Sequence, residues 1–330
     1  MQRRHFFKTA AAAAALTGLS AQFGSTPLSA REALHPGKKG APYPDNGDAP
    51  VEHFSTYFPD YADKNLWVRK DNQVLTVYRT DPNQKYPYLY PLIGPASRVS
   101  VTSESAQPWP HHRSVFLGVD RLNGGNYWQS GNQDGQVLST APKLLRAEKT
   151  QVEWSDVCLW RKPHQVPIVR DTRRYLIDWR CDDYYILDAF FHFEALTDLR
   201  IEKTNHGFFG VRVEQDLAPI CGGHVVSSEG IEGEANLFGK PAKWVAFYGR
   251  RRFNPEITEG VAVLCPPTPY PDCPWFVRDY GNISPMPFNF VEEGFNYKEG
   301  ETMDAVYRTV VFTGTPADVD LNGLWNEIYG

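Results

Sequence analysis

The stretch DDYYILDAFFHFEAL, residues 182–196, constrains the fold more than any other part of the chain. Tyr185, Leu187, Ala189, Phe191 and Phe193 recur at every second position, the period of a β-strand, and so share one sheet face. Ile186, Asp188, Phe190, His192 and Glu194 fall on the other, a mixed set that predicts a face able to line a cleft. Similar strand-sized runs recur along the chain: NQVLTVYR, SVFLGV, TQVEWSDVCLW, RRYLIDWR, DLRIEK, FFGVRVEQ, KWVAFYG, GVAVLC and DAVYRTVVFTG. In one of them Phe209, Val211 and Val213 oppose Arg212 and Glu214.

Aromatic residues make up 14% of the chain against only 3 Met, a mix suited to sheet surfaces rather than helical bundles. No fixed-period repeat is visible, which favours a sandwich over a propeller. The expected fold is therefore all-β, a large antiparallel β-sandwich. Near the C-terminus Leu321, Leu324, Trp325 and Ile328 form one stripe of a short helix that would cover the sheet.

Residues 1–30 carry Arg3, Arg4 and Lys8, no acid, and an apolar run from Ala10 to Leu19. This reads as a signal peptide of the twin-arginine type, so export to the periplasm or beyond is expected. Residues 31–50 are rich in Pro, Gly and charge and read as a flexible N-terminal arm. Residues 51–330 would form a single β-sandwich domain. Loss of the leader takes away three positive charges and moves the formal charge from −5 to −8. Such a chain has no generic attraction to nucleic acid, and no later segment is apolar enough to span a bilayer as a helix. Five cysteines leave at least one unpaired, and Cys265 and Cys273 bracket a Pro-rich loop that a disulfide could clamp. No thiolate metal motif occurs, and the sequence requires no cofactor.

Chemistry-bearing residues gather in four stretches. In WPHHRS, Pro110 places His111 and His112 at the start of a strand, where extended backbone would turn them to opposite sides, one functional and one structural. Arg113 and Asp120 stand close by. Asp120-Arg121-Leu122-Asn123-Gly124-Gly125 and Trp128 combine carboxylate, amide and aromatic groups, the repertoire of a sugar site. His206 precedes Gly207 and the strand carrying Arg212. Arg278 and Tyr280 fall on one face of WFVRDYG. A fourth histidine, His224, stands near Glu229, Glu232 and Glu234 but reads as a solvated turn. Nucleotide and serine-hydrolase motifs are missing.

Taken in order, KYPYLYPL, PHHRS with Asn123-Gly124 and Trp128, HGFFGVRV and WFVRDYG resemble a bacterial family labelled methane oxygenase PmoA or PmoA-like, a domain of unknown function. Trp109 stands where that family usually has a further His, and Leu264-Cys265-Pro266 where it has Asp-His-Pro. The resemblance implies a carbohydrate-related role and the galactose-mutarotase-like supersandwich, and its label implies an oxygenase.

Together these readings give a secreted carbohydrate-active enzyme, hydrolase or lyase in type. His112 and His206 would be acid-base residues and Asp120 their carboxylate partner. His111, Arg113, Asn123, Trp128, Arg212, Arg278 and Tyr280 would bind substrate, with no metal. The alternatives are a noncatalytic carbohydrate-binding protein and a metal-dependent oxygenase.

Overall fold

The computed structural model describes residues 54–57, 65–129, 131–267 and 270–330. The expected leader and arm lie outside them. The strands are, in order, β1 (Phe54–Tyr57), β2 (Leu66–Lys70), β3 (Gln73–Arg79), β4 (Tyr88–Leu89), β5 (Val115–Leu122), β6 (Gly125–Asn126) and β7 (Gln136–Ser139). There follow β8 (Lys143–Ala147), β9 (Gln151–Arg161), β10 (Val169–Trp179), β11 (Tyr184–Ala195), β12 (Leu199–Ile201), β13 (Gly207–Arg212) and β14 (His224–Ser227). The last six are β15 (Trp244–Arg251), β16 (Asn254–Leu264), β17 (Trp275–Arg278), β18 (Asn282–Pro285), β19 (Phe295–Tyr297) and β20 (Thr302–Thr313). Two short α-helices are α1 (Glu234–Leu237) and α2 (Leu321–Tyr329).

All pairings are antiparallel. The first sheet runs β1-β2-β3-β4-β5-β13-β18-β17, with β6, β12 and β19 attached at its flank. The second runs β14-β15-β16-β20-β11-β10-β9-β7, with β8 against β9. The sheets meet through large rings. Phe209 of β13 stacks on Tyr307 of β20 with centroids 4.6 Å apart, Phe208 meets Phe193 of β11 at 5.0 Å, and Tyr78 of β3 meets Tyr175 of β10 at 5.2 Å. Such pairs add about 0.5–1.5 kcal/mol each beyond the area they bury. The expected all-β antiparallel sandwich with a short C-terminal helix is what forms, and each expected strand-sized run is a strand.

The inward set of β11 is the one its alternation predicts: Tyr185, Leu187, Ala189, Phe191 and Phe193 are all buried. On its opposite face His192 is exposed, 2.7 Å from Asp304, while Ile186 lies in a second apolar cluster with Ala246, Leu264, Val310 and Phe312 beneath Leu321 and Leu324 of α2. Asp188 is buried there and takes two hydrogen bonds from Arg308, at 2.7 and 2.8 Å, while Arg308 also donates to the Leu324 carbonyl within the helix. Helix α2 starts where the Asp320 carboxylate accepts the Gly323 amide at 2.8 Å. Cys265 and Cys273 are both buried free thiols.

The second sheet thus has part of its outer face covered by a helix. The first does not, and its outer face carries the site.

Candidate functional site

Strand register assembles the outer face of the first sheet. Tyr88 stands opposite Phe116, Phe116 opposite Gly210, and Arg212 opposite Asn282, which in turn faces Arg278. Gly210 is small because Phe116 lies over it: a Cβ there would be 2.7 Å from the Phe116 ring. On this floor the rings form a stack. Tyr86 lies over Phe116 at 5.3 Å, Phe116 against His112 at 5.8 Å, His112 against Tyr280 at 6.0 Å, and the Arg212 guanidinium lies 4.5 Å from the Tyr280 ring centre. Trp128 leans on Phe116 at 4.7 Å and reaches His206 at 6.3 Å, joining the stack to the third histidine.

His111 and His112 do not diverge as extended backbone requires. A turn closed by the His112 amide on the Trp109 carbonyl, at 3.1 Å, overrides the pleat and leaves the two rings edge to face at 4.5 Å. Burial, then the neighbouring histidines and Arg212, hold His112 neutral down to about 2, and burial followed by His206 and the arginines lowers His111 to about 4. His112 is therefore the uncharged imidazole near neutral pH, which disfavours the donation of a proton from its charged form. Burial also raises Tyr280 to about 12 and lowers Arg212 below the ordinary arginine range.

His206 is different. Its side chain is 27% exposed, and Nδ1 lies 2.9 Å from Asp120 Oδ2. The Thr204 hydroxyl donates to Asp120 Oδ1, and the Asp120 amide donates to the His206 carbonyl at 3.0 Å. An ionised Asp120 makes Nδ1 the protonated nitrogen, which turns the lone pair of Nε2 outward. The arrangement is an oriented imidazole–carboxylate pair, one able to take or give a proton.

The other expected residues divide. Arg113 donates to Ser105 and lies 3.9 Å from Glu104, beside the Tyr88 ring, at the edge of the cluster. Asn123 is spent on backbone, giving a bond to the Asp198 carbonyl at 2.9 Å and accepting one from the Arg200 amide at 2.7 Å. Arg278 is held by Glu234 at 2.6 Å and packs on Phe238 and Phe276. The structure thus brings His111, His112, Trp128, His206, Asp120, Arg212 and Tyr280 together, and leaves Asn123 and the Arg278 head group outside. Sequence reasoning missed Tyr86, Phe116, Thr204, Gln107 and Asn282. Only Asn282 left a trace, as an amide next to the apolar Ile283 in a strand that proves wholly buried.

Seven buried polar atoms in this cluster have no hydrogen-bond partner among the described residues: His111 Nε2, His112 Nδ1, Trp128 Nε1, Arg212 Nε and Nη1, and both amide atoms of Asn282. Native interiors leave few such groups, and a concentration of them marks a place built for something other than stability. Among the described residues no three His, Cys, Asp or Glu side chains converge as a metal-ligand set. A separate open cleft of about 790 Å³ lies by β14 and β15, lined by His224, Tyr248, Arg250 and Arg252 among others. His224 there stacks on Tyr248 at 4.9 Å rather than on a carboxylate.

A family model matches residues 65–326, nearly the whole described chain. The chain belongs to the family of unknown function DUF6807. This corrects the resemblance to a methane oxygenase family: the matching family carries no such label, and the oxygenase reading falls with it. No curated protein matches this DUF6807 member. Among solved structures, galactose 1-epimerase from Lactobacillus acidophilus NCFM aligns at 9% identity and a TM-score of 0.41, covering 79% of this chain and 98% of the epimerase. A putative aldose 1-epimerase from Escherichia coli K12 aligns at 8% and 0.35, covering 79% and 99%. A polysaccharide lyase aligns at 11% and 0.30, covering 84% of this chain and 34% of the lyase.

Proposed function

We propose that this DUF6807 protein is a carbohydrate-active enzyme, lyase rather than hydrolase in type, that works outside the cytoplasm. The observation that carries the reading is the His206–Asp120 pair at 2.9 Å, oriented by Thr204 and set beside Trp128 at the edge of an aromatic floor. Trp128, Phe116 and Tyr86 are buried, so the ring of the stack open to the C–H face of a sugar is the half-buried Tyr280, with charged and amide groups beside it to meet hydroxyls. His206 would move the proton, and Asp120 would hold the imidazole in the working tautomer.

Glycoside hydrolysis in its usual form needs two carboxyl groups across the scissile bond. Among the described residues Asp120 is the one carboxylate hydrogen-bonded to a histidine of this cluster, and Thr204 and His206 already engage both its oxygens. That favours elimination, in which a base takes the C–H proton and the departing glycosidic oxygen is protonated by a side chain or water, with no second carboxyl group required.

The test is digestion of a polysaccharide panel by the purified protein, read by mass spectrometry and by absorbance of unsaturated products. Unsaturated fragments that vanish in His206→Ala are the expected result. Saturated products alone would point to a hydrolase. Binding with no product in any digest would leave a noncatalytic carbohydrate-binding protein.

A further inference from the structure

Five arginines are buried among the described residues; Arg69 donates to the Asn72 carbonyl, and the other four invite comparison. Arg173 pairs with Asp171 at 2.6 Å, Arg308 with Asp188 at 2.7 Å, and Arg251 with Asp216 at 3.3 Å and Glu259 at 3.5 Å. Arg212, 1% exposed, has no ion-pair partner among the described residues. Glu214 acts on it only through space. Among the described residues its guanidinium makes one hydrogen bond, from Nη2 to the backbone carbonyl of Gln107 at 3.0 Å, and Nε and Nη1 make none. Next to it across the β13–β18 pairing, Asn282 is fully buried with its amide nitrogen and oxygen equally unpartnered. A buried cation without a carboxylate is costly, and folds retain one where an anion arrives later.

We propose that Arg212 and Asn282 form the recognition site for the carboxylate of a uronic-acid sugar, a reading that rests on the carbohydrate function proposed above. Guanidinium chemistry supports a carboxylate. The group offers two two-point edges, Nε with Nη2 and Nη1 with Nη2, and the Gln107 carbonyl takes one of the two Nη2 hydrogens, so it occupies one edge while Nε and Nη1 stay unpartnered among the described residues. Gln107 belongs to an exposed strap, Gln107–Pro110, that joins the Glu104 bridge to the histidine turn. When the strap lifts, one monodentate carbonyl leaves and a carboxylate gains a two-point bond, with the Asn282 amide as a further donor. The strap thus fills the site with a weak internal acceptor until a stronger one displaces it. Tyr280, stacked under the guanidinium, keeps its plane fixed.

The experiment is ligand-observed NMR titration with D-glucuronate, D-galacturonate and D-mannuronate against glucose, galactose and mannose. At least one uronate should bind about tenfold or more tightly than its neutral counterpart, the size expected of a charge-assisted bond. Arg212→Met should abolish that preference while the melting temperature holds or rises, because an uncompensated buried charge is gone. Equal binding of acidic and neutral sugars by the wild type overturns the inference and leaves the carbohydrate reading standing. Binding of neither overturns both. A preference that survives in Arg212→Met, or a lowered melting temperature in that variant, shows that Arg212 is not the recognition residue.

Discussion

The rings of His112 and Tyr280 lie nearly parallel, their planes 25° apart and their centres separated by 6.0 Å. His112 is the middle member of a stack, with Phe116 on its other side. Its removal should act on stability first. His112→Ala is expected to lose about 2–4 kcal/mol, the range for deleting a buried ring, whereas His112→Phe refills the stack and keeps most of it. Urea denaturation of the two variants measures the difference. A loss of activity in His112→Ala with unchanged stability would contradict this.

Acid should weaken the fold through the same pair of rings. In the folded chain His111 takes up a proton only near 4 and His112 near 2, whereas unfolded histidines do so near about 6.5. The unfolded state therefore binds more protons below about pH 6.5, and stability falls from there toward 4 for His111 and on toward 2 for His112. Melting temperatures measured from about pH 7 down to about pH 4.5 should drop, and the slope should flatten in His112→Phe. A melting temperature flat across that interval would refute the burial argument.

Asp120→Asn removes the charge that sets the His206 tautomer and leaves the side-chain volume in place. It should lower kcat by about 10²-fold or more with KM little changed, the pattern of a positioning residue. Steady-state kinetics on whichever polysaccharide the wild type cleaves would show it. A change confined to KM would mean that Asp120 touches substrate instead.

Asp188 answers Arg308 beneath helix α2 with two hydrogen bonds, both partners buried. Asp188→Ala leaves that guanidinium with the more exposed Glu327, 3.5 Å away, as its ion-pair partner, and should cost about 3 kcal/mol without reaching the histidine cluster. Chemical denaturation together with unchanged sugar binding is the check, and a loss under 1 kcal/mol or so would show that water compensates the arginine.

The sequence made the strands legible because alternation and aromatic content act locally. It also singled out most of the residues that the fold gathers into one cluster, since His111, His112, Trp128, His206, Arg212 and Tyr280 stand in short polar-aromatic stretches. What escaped was pairing at long range. Nothing near Arg278 announces that Glu234, 44 residues earlier, takes its charge. Nothing in the Asn123 turn shows that Asp198 and Arg200 use both ends of its amide. The turn at Trp109–His112 defeated the pleat argument because a single backbone bond outweighs alternation over two residues. Asn282 went unread because a buried amide becomes informative only once its neighbours are known to leave it unsatisfied.

The C-terminal helix is latched by its aromatic tips: Trp325 donates to the Cys265 carbonyl at 2.8 Å, and the Tyr329 hydroxyl lies 2.9 Å from the Val306 carbonyl. Prying it off would bare the strip formed by Ile186, Ala246, Leu264, Val310 and Phe312. Apolar sheet surface laid bare in this way invites contact between copies, so a truncation that removes the helix is expected to lower solubility, read by light scattering, and unchanged scattering would show that the strip is not sticky.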